Sequence, residues 1–151
     1  MLAVAGAALV VLGGIAYAGS WGGGGLKHPT VIHVVERPVT DQVIDIGATG
    51  DSPGDQLPFA NPIYNWNNTK KVGSDQGNCV RASATQGRWE CMWTTFLAGG
   101  QITVEGPFLD AKATTRLAIT GGTGHFSNAR GQMILHTRSD GNFDFVFELQ
   151  P

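Results

Sequence analysis

Arg88-Trp89-Glu90-Cys91-Met92-Trp93-Thr94-Thr95 is the stretch that decides the fold. Trp89, Cys91, Trp93 and Thr95 fall on one side of an extended chain, and Arg88, Glu90 and Thr94 fall on the other. Side chains of a strand alternate between faces, so this period of two marks a strand with one buried face. Outward from it the pattern recurs. Ile102 and Val104 alternate with Gln101, Thr103 and Glu105, and Phe143, Phe145, Phe147 and Leu149 oppose Asp144 and Glu148. Runs at 30–36, 42–46, 57–64, 77–83, 114–120 and 130–137 bring the candidate strands to nine, and helical periodicity is absent from residue 30 onward. Turn residues such as Thr49-Gly50-Asp51-Ser52-Pro53-Gly54, Gly99-Gly100 and Ser139-Asp140-Gly141 separate the runs. The expected fold is all-β, a single eight-stranded antiparallel barrel with an apolar central cavity. Closure removes exposed edges, and a barrel of that size holds side chains or one small ligand.

With 151 residues, 42% apolar and 15% charged, the chain suits one domain with a sizeable core. The 22 glycines lie scattered between apolar runs, as many turns require. A net charge of −2 supplies no basic field, which argues against a nucleic-acid partner. Residues 1–25 read as a signal peptide and Gly-rich linker, leaving 26–151 as the folded domain. Leu2 to Ile15 is almost unbroken in apolar character and is followed by Ala16-Tyr17-Ala18, which suits a signal peptidase. The first positive charge is only Lys27, and an uncleaved anchor is the alternative. The expected location is secreted or extracytoplasmic, with no membrane contact beyond that segment.

Cys79 and Cys91 lie on adjacent candidate strands and oppose each other when paired about the turn at Ala84–Gln86, so a disulfide is geometrically natural in an exported chain. A free nucleophilic Cys79 is the rival reading. His28, His33, His125 and His136 show no metal spacing, and Gly121-Gly122-Thr123-Gly124 lacks the ending of a phosphate loop. No cofactor is expected. Asn67-Asn68-Thr69 fits a glycan acceptor, which matters only in a eukaryotic secretory pathway.

The order of several segments carries a more specific signal. GDQLPFANPIY at 54–64, KKVGSDQGNCV at 70–80, RWE at 88–90, QITVEGPFLD at 101–110, LAITGGTGHF at 117–126, GQMIL at 131–135 and the final FDFVFEL together resemble the plant allene oxide cyclases. The likeness runs from about Gly54 to Leu149 and places the chain near a group related in fold to dirigent proteins. It implies an eight-stranded barrel whose cavity, in the plant enzymes, holds an unstable fatty-acid epoxide. By resemblance Asn61 takes the position of an asparagine that holds a water at the epoxide oxygen. Leu57, Phe59, Cys79, Trp89 and Phe108 take apolar substrate-binding positions, although plain core packing explains the aromatic ones equally well. The resemblance weakens at VIHVVERPVTD, where the plant Ser-Pro pair is missing. Glu36 is the carboxylate on this strand; facing inward it could polarise a substrate or act as a base with a raised pKa, and facing outward it would be a solvated charge, with His33 the rival on the other face.

Three functions follow. One is a hydrophobic-ligand-binding barrel that acts as a cyclase or isomerase, directing ring closure of a reactive apolar substrate. The second is a non-catalytic secreted dirigent-like or carrier protein, and the third a barrel with a filled interior. The partner in the first two is a small apolar molecule, and the resemblance suggests homo-oligomers formed through the outer faces.

Overall fold

The computed structural model describes residues 29–111 and 114–151. Its strands are β1 (Thr30–Glu36), β2 (Gln56–Asn65), β3 (Lys71–Ser83), β4 (Arg88–Leu97), β5 (Gly100–Leu109), β6 (Thr114–Gly124), β7 (Arg130–Thr137) and β8 (Phe143–Gln150). Each pairs antiparallel with the next and β1 pairs with β8, so the eight strands close the expected barrel. The signal-like segment and linker at 1–25 lie outside the described residues. No helix among the described residues is long and apolar enough to cross a membrane.

The ninth candidate strand does not form. The run 42–46 contributes one bridge, Ile44 to Gln56, and leaves Val43, Ile44 and Ile46 exposed. Its alternation has no sheet to pack against, because the β1–β2 connection at 37–55 is held by its own polar contacts. Asp55 receives the N–H groups of Ile46 and Ser52, each at 2.8 Å, and these bonds hold its carboxyl below the usual range.

Inside the barrel the register stacks side chains in rings. Phe59, Gly77, Trp93 and Val104 are successive partners across β2 to β5, and Leu57, Cys79, Cys91 and Gly106 form the next ring. Leu117, Met133, Phe147 and Ile32 continue the interior across β6, β7, β8 and β1. Cys79 and Cys91 are direct partners and are bonded. Gly77 is required by close approach: a Cβ there would collide with Cβ of Trp93. The loops after β1, β3, β5 and β7 gather at one end of the barrel, and those after β2, β4 and β6 at the other.

One seam is short. β1 meets β2 only from Val34–Asn65 to Glu36–Ile63, whereas β1 and β8 pair along their whole length. The reason lies in β2. Pro58 and Pro62 share strand parity with Ala60, whose N–H points toward the β1 side, so both prolines lack a donor on that edge. The chain leaves the sheet after Glu36, and residues 37–41 cross the vacated edge as a strap. Arg37 N–H donates to Pro62 O at 3.1 Å, and the Thr40 hydroxyl both receives Ala60 N–H at 2.7 Å and donates to Ala60 O at 3.1 Å.

Candidate functional site

A cavity of about 200 Å³ opens beneath the strap, at the end of the barrel that carries the β1–β2 connection. Its walls are Leu57 and Phe59 of β2, the Cys79–Cys91 bridge, Trp93 of β4, Phe108 of β5, Leu135 of β7 and Phe143 and Phe145 of β8. The rings interlock. Phe59 meets Trp93 edge-on with centroids 5.9 Å apart, Trp93 tilts onto Phe145 at 5.4 Å, and Phe108 meets Phe143 edge-on at 6.0 Å. The ionisable groups on this lining are both carboxyls, Glu36 at the end of β1 and Asp41 on the strap.

Those two carboxyls are organised by Asn61. Its amide nitrogen donates to Glu36 Oε1 at 2.7 Å and to Asp41 Oδ1 at 2.6 Å. Its carbonyl oxygen receives Val39 N–H at 2.8 Å and Thr40 N–H at 3.1 Å. A side-chain amide offers two donors and an oxygen with two lone pairs, so Asn61 is saturated from within the protein. Behind it stands Asp75, its direct partner on β3, whose Oδ1 receives Asn61 N–H at 3.1 Å.

Glu36, Asn61 and Asp75 are all buried, and carboxyls removed from water resist ionisation. Burial pushes Glu36 well above its ordinary range, with the charges of Asp75 and Asp41 adding to the effect and the Asn61 hydrogen bond opposing it. Burial likewise pushes Asp75 up to about 7, against the hydrogen bonds from Glu36 and from Asn61 N–H. Asp75 Oδ2 is buried and receives no donor from an amide or hydroxyl of the described residues. Burial raises the two carboxyls together, so each holds its proton to a higher pH than a free carboxyl does.

The sequence-derived candidates divide accordingly. Glu36 faces inward with Val34, whereas His33 points out and meets Asp144 at 2.9 Å. Leu57, Phe59, Cys79 and Phe108 reach the cavity lining along with Glu36. Asn61 stands behind that lining, holding Glu36 and Asp41. Trp89 is buried away from it: its indole N–H donates to Asp110 at 2.9 Å and the Arg81 guanidinium stacks 3.9 Å over its ring. Arg81 itself pairs with Asp51 at 2.7 Å and Asp110 at 2.5 Å. Sequence reasoning passed over Asp75, Asp41 and Trp93 as site residues. For Asp75 the signal was available: the hairpin pairing that sets Leu57 against Cys79 also sets Asn61 against Asp75.

Solved structures repeat this barrel. A structure titled pyocyanin demethylase superposes with a TM-score of 0.71 at 23% identity, covering 80% of this chain and 100% of that one. A pterocarpan synthase dirigent protein gives 0.65 at 18%, covering 83% and 98%. An exo-specific intermolecular Diels-Alderase gives 0.61 at 14%, covering 80% and 97%. At these identities the likeness is one of fold. The family profile described as allene oxide cyclase matches residues 32–139, which takes in every strand from β2 to β7 and most of β1. With well over half of its length matched, the chain belongs to the allene oxide cyclase family.

Proposed function

We propose that this protein binds one small apolar molecule in the barrel and directs its ring closure, with Glu36 as the acid. The carrying observation is the composition of the cavity: apolar and aromatic walls, and an edge of two carboxyls of which burial pushes one, Glu36, well above the ordinary carboxylate range. Dirigent proteins and cyclases that share the fold support the reading. Leu57, Phe59, the Cys79–Cys91 bridge and Phe108 hold the substrate folded and exclude water, which supplies the orientation a cyclisation needs. Glu36 gives a hydrogen bond to the substrate oxygen on which negative charge grows. An isomerising ring closure needs no net proton, so the acid is recovered unchanged. Asn61 is a positioning residue here, acting through Glu36 and Asp41. The bonded cysteines are compatible with the extracytoplasmic location expected from the sequence.

A volume of about 200 Å³ exceeds the roughly 150 Å³ known to hold a benzene ring and falls short of the roughly 300 Å³ where drug-sized pockets begin. The enclosed portion of the ligand is therefore of one- or two-ring size. Solvent extraction and mass spectrometry of the purified protein should yield a reproducible apolar compound. Turnover of it should fall by about a hundredfold or more in Glu36→Gln while binding persists. Binding without turnover would make the protein a carrier or dirigent-like partner, and the absence of any bound or bindable apolar molecule would defeat the reading.

A further inference from the structure

We infer that the cavity takes a planar aromatic ligand that is neutral or positively charged, with a donor or cationic edge toward Asp41 and an acceptor atom toward Trp93, and rejects carboxylate-bearing lipids. The inference rests on the cavity being a ligand site, and it adds the charge and shape of what enters.

Charge comes first. The ionisable lining groups are carboxyls, and no Lys, Arg or His of the described residues lines the space. Arg81, at the same end of the barrel, is engaged by Asp51 and Asp110 and by the face of Trp89, so its charge is already met. Of the Asp41 oxygens, Oδ1 is taken by Asn61, and Oδ2 receives no hydrogen bond among the described residues. Asp41 is exposed at the mouth, and Asn61 anchors it facing the cavity. An anionic head group there would meet like charge with no counter-ion, while a donor or a delocalised cation would find an oriented acceptor.

The second observation is independent of the carboxyls. Trp93 is 4% exposed, lines the cavity, and its indole Nε1 is buried with no hydrogen-bond partner among the described residues. An unpaired buried donor is costly, and an acceptor atom on a ligand would satisfy it. Shape follows from Phe59, Trp93, Phe145, Phe108 and Phe143. Their edge-on and tilted contacts present ring faces and edges to the cavity, a lining that suits a flat ring and favours a delocalised cation over an aliphatic chain.

Three probes of similar two-ring size separate these statements: N-methylquinolinium, 2-naphthol and 2-naphthoate, titrated into the full chain at pH 8 by calorimetry and by Trp fluorescence. The cation and the naphthol should bind at least about tenfold more tightly than the naphthoate. Asp41→Asn should cost the cation about tenfold and bring the naphthoate level with the naphthol, and Trp93→Phe should weaken the naphthol by several-fold. Naphthoate binding as tightly as the cation, or a cation affinity unmoved by Asp41→Asn, would overturn the ligand class while leaving the cavity's role intact. Failure of all three probes, together with no extractable ligand, would bring down the binding reading itself.

Discussion

The two sides of the barrel interior are built on different physics. Across β4 to β8 the inner face is almost wholly apolar: Ile102, Val104, Leu117, Met133, Phe145 and Phe147 are buried and pack on one another. Across β1 to β3 the inner face buries Glu36, Asn61 and Asp75, tied by directed hydrogen bonds through Asn61. The first side is stabilised by area removed from water, which is indifferent to pH. The second is stabilised by saturation of polar groups, and each member is costly once its partner is gone. The contrast shows where chemistry can sit in so small a barrel. A wall of apolar rings bounds the cavity, and a compact polar knot on the opposite side holds a buried carboxyl in place.

The sharpest test of the contrast sets one large truncation against one isosteric loss of polarity. Phe147→Ala removes a fully buried ring and should cost about 4 kcal/mol, by the same amount at pH 5 and pH 8. Asn61→Leu keeps the volume and leaves Glu36, Asp41 and the N–H groups of Val39 and Thr40 without their partner. It should cost about 3 kcal/mol, read from urea midpoints at unchanged slope. If Asn61→Leu is neutral or stabilising, the amide is no network member, and the knot is not what holds the strap.

The next prediction concerns pH. Asp75 is pushed up to about 7 and Glu36 is raised well above its ordinary range, so the folded barrel keeps protons that the unfolded chain releases near pH 4. Fewer protons bound in the unfolded state means that stability falls as pH rises. The Asp75 contribution is fully present below about pH 4 and is lost as pH climbs through about 7, the reverse of the usual salt-bridged carboxylate, at up to about 1.4 kcal/mol per pH unit, and the Glu36 contribution has the same sign. Asp75→Asn should flatten the profile between pH 5 and 8 in chemical denaturation. An unchanged slope in that variant would show that Asp75 does not keep its proton in the folded barrel.

How much of this was legible in the sequence depends on which side chains fill the inner positions. β4, β5 and β8 announce themselves because Trp89, Trp93, Ile102, Val104 and the Phe143–Leu149 series put large apolar groups on most of the inward positions. β3 does not. Its inner positions before Cys79 are Gly73, Asp75 and Gly77, small because Gly77 faces Trp93 and Gly73 faces the Phe96 carbonyl, or polar because Asp75 serves Asn61. Hydrophobic alternation therefore starts six residues after the strand does, at 77 instead of Lys71, and Asp75 is hidden in what reads as a loop. The run 42–46 errs the other way, with alternation that serves no sheet. Leu57 and Phe59 were legible as inward residues because period two fixes their face, and the resemblance marked them as cavity positions. The saturation of Asn61 was not, because its partners Val39, Thr40 and Asp41 belong to a strap whose path depends on where β1 leaves the sheet.

The smallest expected effect tests that strap. Thr40 is exposed, so its removal exposes no core and creates no cavity, yet its hydroxyl stands in for a missing strand by accepting Ala60 N–H and donating to Ala60 O. Exposed hydrogen bonds are partly replaced by water, so Thr40→Ala should cost only about 1 kcal/mol in global stability. Locally the effect should be larger in proportion. The tie from Asn61 Oδ1 to the backbone N–H groups of Val39 and Thr40 remains, but its register is no longer pinned at Ala60, and Asp41 gains freedom at the cavity mouth. Amide exchange at Val39, Thr40 and Ala60 should accelerate by about tenfold while exchange in β4 and β8 is unchanged. Acceleration spread evenly over the barrel would mean that strap and sheet open together, and that the polar side is no separate structural unit but a patch on a single cooperative core.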